Sequence, residues 1–135
     1  METVILVVDD DSGMRRILCT FLSRIADDTV IEAADAESAL RLARSTQIPV
    51  RLLISDIRLG PGIDGVQLAR ELEAISPGVK IVLVSGYESQ GQGLPSEWRF
   101  VAKPFALDEL IAVLSELMPA SSLRLDRWSS DPPVR

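Results

Sequence analysis

The chain has 135 residues, 47% of them hydrophobic and 25% charged, which is one-domain length with enough apolar material to bury a core. It has no histidine and one cysteine, so a Ser-His-Asp triad, a Cys-His pair, histidine-ligated zinc and an internal disulfide are all excluded. Fourteen basic residues against twenty acidic ones give a net charge of −6, which opposes electrostatic attachment to nucleic acid or anionic lipid and favours cations or protein partners. Val4 to Val8 is apolar at five consecutive positions, as suits a strand buried on both faces of a parallel sheet. Met14, Ile17, Leu18, Phe21, Leu22 and Ile25 then repeat at spacings of three and four and give a first helix one apolar face, with Cys19 read as a small core side chain. A second strand is expected at Thr29 to Ala33, and Asp35 is placed to cap a second helix running through Arg44.

The third strand is expected at Arg51 to Ser55. Asp64, with Gln67 three residues on, resembles a capping box opening a third helix toward Ile75, which Pro77 and Gly78 stop. Lys80 to Ser85 reads as the fourth strand. From Gly86 to Trp98 three glycines, one proline and little apolar periodicity predict a short or loose helix in a mobile segment. Arg99 to Ala102 is the fifth strand, and Leu107, Leu110, Ile111, Leu114 and Leu117 form one side of a last helix ending before Pro119. Residues 1–118 thus read as one domain. Residues 119–135, with clustered serines and prolines, read as a disordered tail, although Leu123, Leu125 and Trp128 leave docking open. Met1-Glu2-Thr3 has neither a basic region nor a cleavage site, and every apolar run falls far short of the roughly 20 residues of a membrane span. A cytoplasmic protein with no membrane insertion is expected.

A strand-helix alternation repeated along the chain predicts a doubly wound α/β fold, because parallel neighbours need right-handed crossovers that put helices on both faces of the sheet. Function is then expected at the C-terminal ends of the strands. Asp9, Asp10 and Asp11 follow the first strand; taken alone they make a solvated turn, with Asp11 or Ser12 as the helix cap. Asp56 ends the third strand on the same edge, Ser85 ends the fourth and Lys103 follows the fifth. Each alone is an ordinary surface residue, but four strand ends converge. Clustered carboxylates repel one another unless a cation neutralises them, and Mg²⁺, which takes oxygen ligands, suits this composition better than zinc.

These residues resemble the response regulator receiver domain over approximately Thr3 to Met118. The acidic pair Asp9 and Asp10, Asp56 in Ile-Ser-Asp, Ser85, and Lys103 before Pro104 match the family's motifs, and Phe100 matches its switch aromatic. The resemblance implies a five-stranded flavodoxin-like (βα)5 sheet in the order 2-1-3-4-5. It implies phosphorylation of Asp56, with Mg²⁺ held by Asp10, Asp56 and the backbone carbonyl of Arg58, and with Asp9 acting through water. Ser85 and Lys103 would bind the phosphoryl group, and Phe100 would rotate inward. The donor would be the phosphohistidine of a histidine kinase or a histidine phosphotransfer protein, and the output a switched surface for a downstream protein, with no DNA contact. Such a chain is a signalling protein and not an enzyme. The 17 residues after Met118 hold no output module, so a stand-alone receiver is expected.

Three features depart from the family pattern. The loop from Arg58 to Gly65 is one residue longer than usual and carries Gly60 and Gly62. Ser85 to Lys103 spans 18 positions, short by about four residues or roughly one helical turn, so the fourth helix is expected to be truncated or remodelled. Ala106 stands where a Ser, Thr or Asp cap would be better by roughly 1 kcal/mol. Arg58 and Tyr87, each two residues past an active-site position, are expected to tune phosphate lifetime by screening water. The rivals are a phosphorylation-independent binding module and a haloacid-dehalogenase-type hydrolase using Asp9-x-Asp11. Against the hydrolase, Gly13 stands where that family expects Thr or Val, and no cap domain fits. A flavodoxin-like nucleotide binder would need a Gly-rich phosphate loop after the first strand, which the sequence lacks.

Overall fold

The computed structural model describes residues 2–86 and 93–128. Five parallel strands, β1 (Val4–Val8), β2 (Thr29–Ala33), β3 (Val50–Asp56), β4 (Lys80–Ser85) and β5 (Arg99–Ala102), form one sheet in the order β2-β1-β3-β4-β5. Among the described residues four α-helices connect or follow them: α1 (Ser12–Ile25), α2 (Ala36–Ser45), α3 (Gly65–Ile75) and α4 (Leu107–Leu117). Successive strand residues point to opposite faces, so each strand feeds two cores. Leu6, Val8, Leu53, Ile81 and Leu83 pack with Ala39, Leu68, Leu72 and Trp98 on the α2 and α3 side. Ile5, Val7, Leu52, Ile54, Val82 and Val84 pack with Leu18, Phe21, Leu22, Leu110 and Leu114 on the α1 and α4 side. Burial on both faces explains why β1 needs an unbroken apolar run.

Helix starts follow the expected caps. Asp11 accepts from the N–H groups of Gly13 at 2.9 Å and Met14 at 3.2 Å, Asp35 from Ser38 at 2.7 Å, and Asp64 from Gln67 at 2.9 Å. At α4 Ala106 contributes no side-chain acceptor, but the Glu109 carboxylate accepts the Ala106 N–H at 3.4 Å, which is the reciprocal half of a capping box. The α1 stripe is wider than the core it meets: Ile17 is 53% exposed, in a shallow groove with Phe21, Leu107 and Trp128. Cys19 is half-buried against the α1 and α4 layer, and burial pushes its thiol up to about 11.

Two segments were expected to be irregular. Part of the predicted mobile stretch, residues 87–92, lies outside the described residues; residues 93–98 form turns without a helix. Here Trp98, 4% exposed, is an anchor. Its indole N–H donates to Glu73 Oε2 at 3.1 Å, and the Arg70 guanidinium lies 5.6 Å above its ring, so the connector is tied to α3.

In the tail expected to be disordered, residues 119–128 lie against the end of α1. Leu123 is 7% exposed in the α1 and α4 layer, and the Arg124 N–H donates to the Ile25 carbonyl at 2.6 Å, satisfying the end of α1. Asp27 pairs with Arg124 at 2.8 Å and Arg127 at 3.4 Å, and Trp128 meets Phe21 edge-on with ring centroids 5.0 Å apart. The serines and prolines suggested disorder, but Met118, Leu123 and Trp128 supply enough apolar surface to dock. Residues 129–135 of that expectation lie outside the described residues. Among the described residues no helix is long and apolar enough to cross a membrane.

Candidate functional site

Strand register sets the candidate site. Val8 lies opposite both Ala33 and Ser55, Asp56 opposite Val84, and Ser85 opposite Ala102, so the strand ends are level and the next residue of each projects from one edge. A carboxylate oxygen from each of Asp9, Asp10 and Asp56 lies within 4.8 Å of the other two. Asp9 is 2% exposed, Asp56 is half-buried and Asp10 is exposed. The Lys103 ammonium sits 3.0 Å from Asp56 Oδ2 and 3.4 Å from Asp9 Oδ2. The Lys103 N–H also donates to the Ser85 carbonyl at 2.8 Å, fixing the lysine's backbone to the end of β4.

The electrostatics follow from this crowding. Burial raises Asp9 above the usual carboxylate range, and the Asp11 N–H, at 2.8 Å from Oδ1, together with Lys103 offsets only part of that rise. For Lys103 burial acts to lower the ammonium, but the hydrogen bond to Asp56 and the fields of Asp9 and Asp56 outweigh it and hold it above its ordinary value. The cluster could hold a cation. Its 4.8 Å span is close to the roughly 4.2 Å between ligands on opposite sides of a Mg²⁺, and its donors are the hard oxygens that ion prefers.

Of the remaining predicted residues, Ser85 is buried at the end of β4 and Phe100 is half-buried on β5 against the α2 and α3 layer. The exposed Arg58 directs its N–H to Asp56 Oδ1 at 3.3 Å. Tyr87 lies outside the described residues. Gly60 and Gly62 have φ of 81° and 98°, so the longer loop turns through conformations that favour glycine.

Sequence reasoning missed two residues that shape this edge. Gly65 opens α3 where a Cβ would fall 2.2 Å from the Asp56 carbonyl oxygen, so its small size sets how closely the helix approaches the strand end. Arg15 sends one guanidinium nitrogen to the Asp9 carbonyl at 2.7 Å and another to Glu32 Oε1 at 2.9 Å. Its spacing from Asp11, one helical turn, was the available signal; its contact with Glu32 on β2 was not a local one.

The sequence profile of the response regulator receiver domain matches residues 5–115. The chain is 31% identical over 121 residues to the response regulator receiver protein CpdR of Brucella abortus, covering 87% of this chain and 98% of CpdR. It is 33% identical over 120 residues to the sensor kinase CckA of the same organism, covering 86% of this chain but only 12% of CckA. It likewise spans 23% of the C4-dicarboxylate transport regulator DctD of Rhizobium meliloti, at 33% identity over 111 residues and 79% of this chain. Among solved structures, the receiver domain of the hybrid histidine kinase CckA superposes with a TM-score of 0.69 at 30% identity, covering 84% of this chain and 97% of that one. A response regulator receiver protein from Sinorhizobium medicae gives 0.74 at 27% identity, covering 88% of this chain and 96% of that one. Sheet order, the acidic edge and these likenesses agree: the chain belongs to the response regulator receiver domain family.

Proposed function

We propose that this receiver accepts a phosphoryl group on Asp56 from the phosphohistidine of a kinase or phosphotransfer protein, and that the modification then alters a surface read by a downstream protein. The observation that carries the proposal is the convergence of Asp9, Asp10 and Asp56 within 4.8 Å, with the Lys103 ammonium 3.0 Å from Asp56. A carboxylate oxygen attacks phosphorus directly; the P–O bond forms as the P–N bond breaks, and the donor imidazole takes the electron pair. No general base is needed, which agrees with a chain that has no histidine. Lys103 sits where it offsets negative charge gathering on the phosphoryl oxygens, and Asp56 is held for in-line approach by Lys103 and the Arg58 N–H. Mg²⁺, bound through Asp10 and Asp56, the Arg58 carbonyl, and Asp9 by way of water, would add charge neutralisation.

On this reading, after transfer Ser85 donates its hydroxyl to the phosphoryl group and Phe100 moves further into the α2 and α3 layer, which it already touches, shifting an existing equilibrium between two states. Arg58 and Tyr87 limit water's approach and so set the phosphate lifetime; alanine at both positions is expected to change the decay rate. A cytoplasmic location accompanies this reading. The hydrolase alternative is weakened by Asp11, whose carboxylate is engaged in capping α1.

The test is intact-protein mass after incubation with Mg²⁺ and a small acyl phosphate, for the parent, Asp56→Asn and a chelated control. One phosphoryl adduct that requires both Asp56 and the metal supports the proposal. No adduct, together with no binding of phosphoryl analogues, overturns it in favour of a phosphorylation-independent binding module.

A further inference from the structure

The three carboxylates of the acidic edge are not held alike. Asp9 is fixed by the Asp11 N–H at 2.8 Å and by Lys103, and Asp56 by Lys103 and the Arg58 N–H. No hydrogen bond or ion pair among the described residues reaches the exposed Asp10 side chain. Its direction depends on its backbone. The peptide entering Asp10 carries the Asp9 carbonyl, and that oxygen accepts from the Arg15 guanidinium at 2.7 Å, a charge-assisted bond. Because a peptide unit is planar, fixing this oxygen also fixes the plane containing the Asp10 Cα. Arg15 is itself anchored, with a 17% exposed side chain and its Nε 2.9 Å from Glu32 Oε1. Glu32 lies on β2 opposite Val7 of β1, so the restraint runs from the sheet through Glu32 and Arg15 to the Asp9–Asp10 peptide.

We propose that Arg15, held by Glu32, is a positioning residue that sets the divalent-cation affinity of the acidic edge by orienting Asp10 through the Asp9–Asp10 peptide. The inference rests on the metal reading above. Charge and positioning act with opposite sign here. Removing a cation near three carboxylates, taken alone, strengthens Mg²⁺ binding, whereas releasing the peptide weakens it. Lysine keeps the charge but lacks the planar fork that reaches the carbonyl and Glu32 together. Arg15→Lys is therefore expected to weaken binding by the full loss of positioning, and Arg15→Gln to weaken it by less.

The experiment titrates the full chain with MgCl₂ by calorimetry, for the parent, Arg15→Lys, Arg15→Gln and the distant charge control Arg24→Gln, and records each unfolding midpoint without metal. About tenfold weaker binding in Arg15→Lys and a smaller loss in Arg15→Gln, with midpoints close to the parent's and an unchanged Arg24→Gln, are expected. Arg15→Lys keeps the aliphatic stem and serves as the decisive variant if the glutamine form does not fold. Parent-like binding in Arg15→Lys, or tighter binding in Arg15→Gln, overturns the inference and leaves the metal reading standing. A parent that takes up no Mg²⁺ overturns the metal reading, and the inference with it.

Discussion

Replacing Gly65 by alanine sets two effects of opposite sign against each other. In a helix, alanine is favoured over glycine by about 1 kcal/mol, so propensity alone predicts a stabilised protein. The structure predicts the reverse. The added Cβ would lie 2.2 Å from the Asp56 carbonyl oxygen and 3.0 Å from both the Asp56 carbonyl carbon and Ile57 Cα, all backbone atoms that cannot rotate away. Ordinary short C–H···O contacts begin at about 3.3 Å, so α3 must retreat by roughly 1 Å. That retreat also stretches the bond from the Gly65 N–H to the Ile57 carbonyl, now 2.8 Å. Overpacking of this kind costs about 1–3 kcal/mol and the hydrogen bond about 1, giving a net loss of about 1–3 kcal/mol after the propensity gain. Thermal unfolding should show a midpoint lower by about 4–12 °C at roughly 4 °C per kcal/mol. The displaced Asp56 backbone should also slow acyl-phosphate labelling. A variant as stable as the parent, or more so, would refute the reasoning, because it would mean the strand end yields to the helix at no cost.

Trp128→Ala should cost about 1–2 kcal/mol, below the value for a fully buried tryptophan because the residue is half-buried and its buried indole N–H meets no acceptor among the described residues. Trp128→Phe should lose less than about 1 kcal/mol, and equal losses in urea melts of the two variants would contradict the edge-on contact with Phe21. For Asp28, burial acts to raise the carboxyl, but hydrogen bonds from Arg51 and Thr3 outweigh it and hold it below 3.8. A carboxyl depressed on folding stabilises above its unfolded value and loses that contribution as pH falls through the folded one. Urea midpoints measured from pH 6 to pH 2 should therefore fall more steeply below pH 4 in the parent than in Asp28→Asn. Ala106→Ser supplies the missing cap of α4 and should stabilise by about 0.5–1 kcal/mol; no gain would mean that Glu109 already meets the need.

Much of the fold was legible because its signals are local. Five short runs, several of them continuously apolar, marked the strands, with β3 extending one residue further at each end, to Val50 and Asp56, because Val50 has a partner in β1 and Asp56 one in β4. Asp11, Asp35 and Asp64 announced three helix starts through chemistry confined to a few residues. The acidic edge was readable in outline once parallel strands were inferred, since their C-terminal ends must share one side. What escaped depends on distant pieces of chain. The periodicity that found α1 could not show where neighbouring surface ends, which left Ile17 exposed. Gly65 stood out only as the end of a loop until the Asp56 backbone lay against it. Arg15 carried no assignment before Glu32 and the Asp9 carbonyl came within reach. In the tail, polar composition outweighed two apolar residues, Leu123 and Trp128, spaced to meet a surface not yet assembled.

The chain's two tryptophans fall on opposite faces of the sheet, Trp98 in the α2 and α3 layer and Trp128 beside Phe21 in the α1 and α4 layer. Their surroundings differ, with a carboxylate and a guanidinium at one indole and an aromatic ring at the other. Intrinsic fluorescence is therefore a two-channel recorder, and a Trp→Phe variant at either position isolates one channel. Denaturation curves that coincide in the two single-tryptophan proteins would make the sheet a single cooperative block, while curves that separate would locate the softer side without any added label.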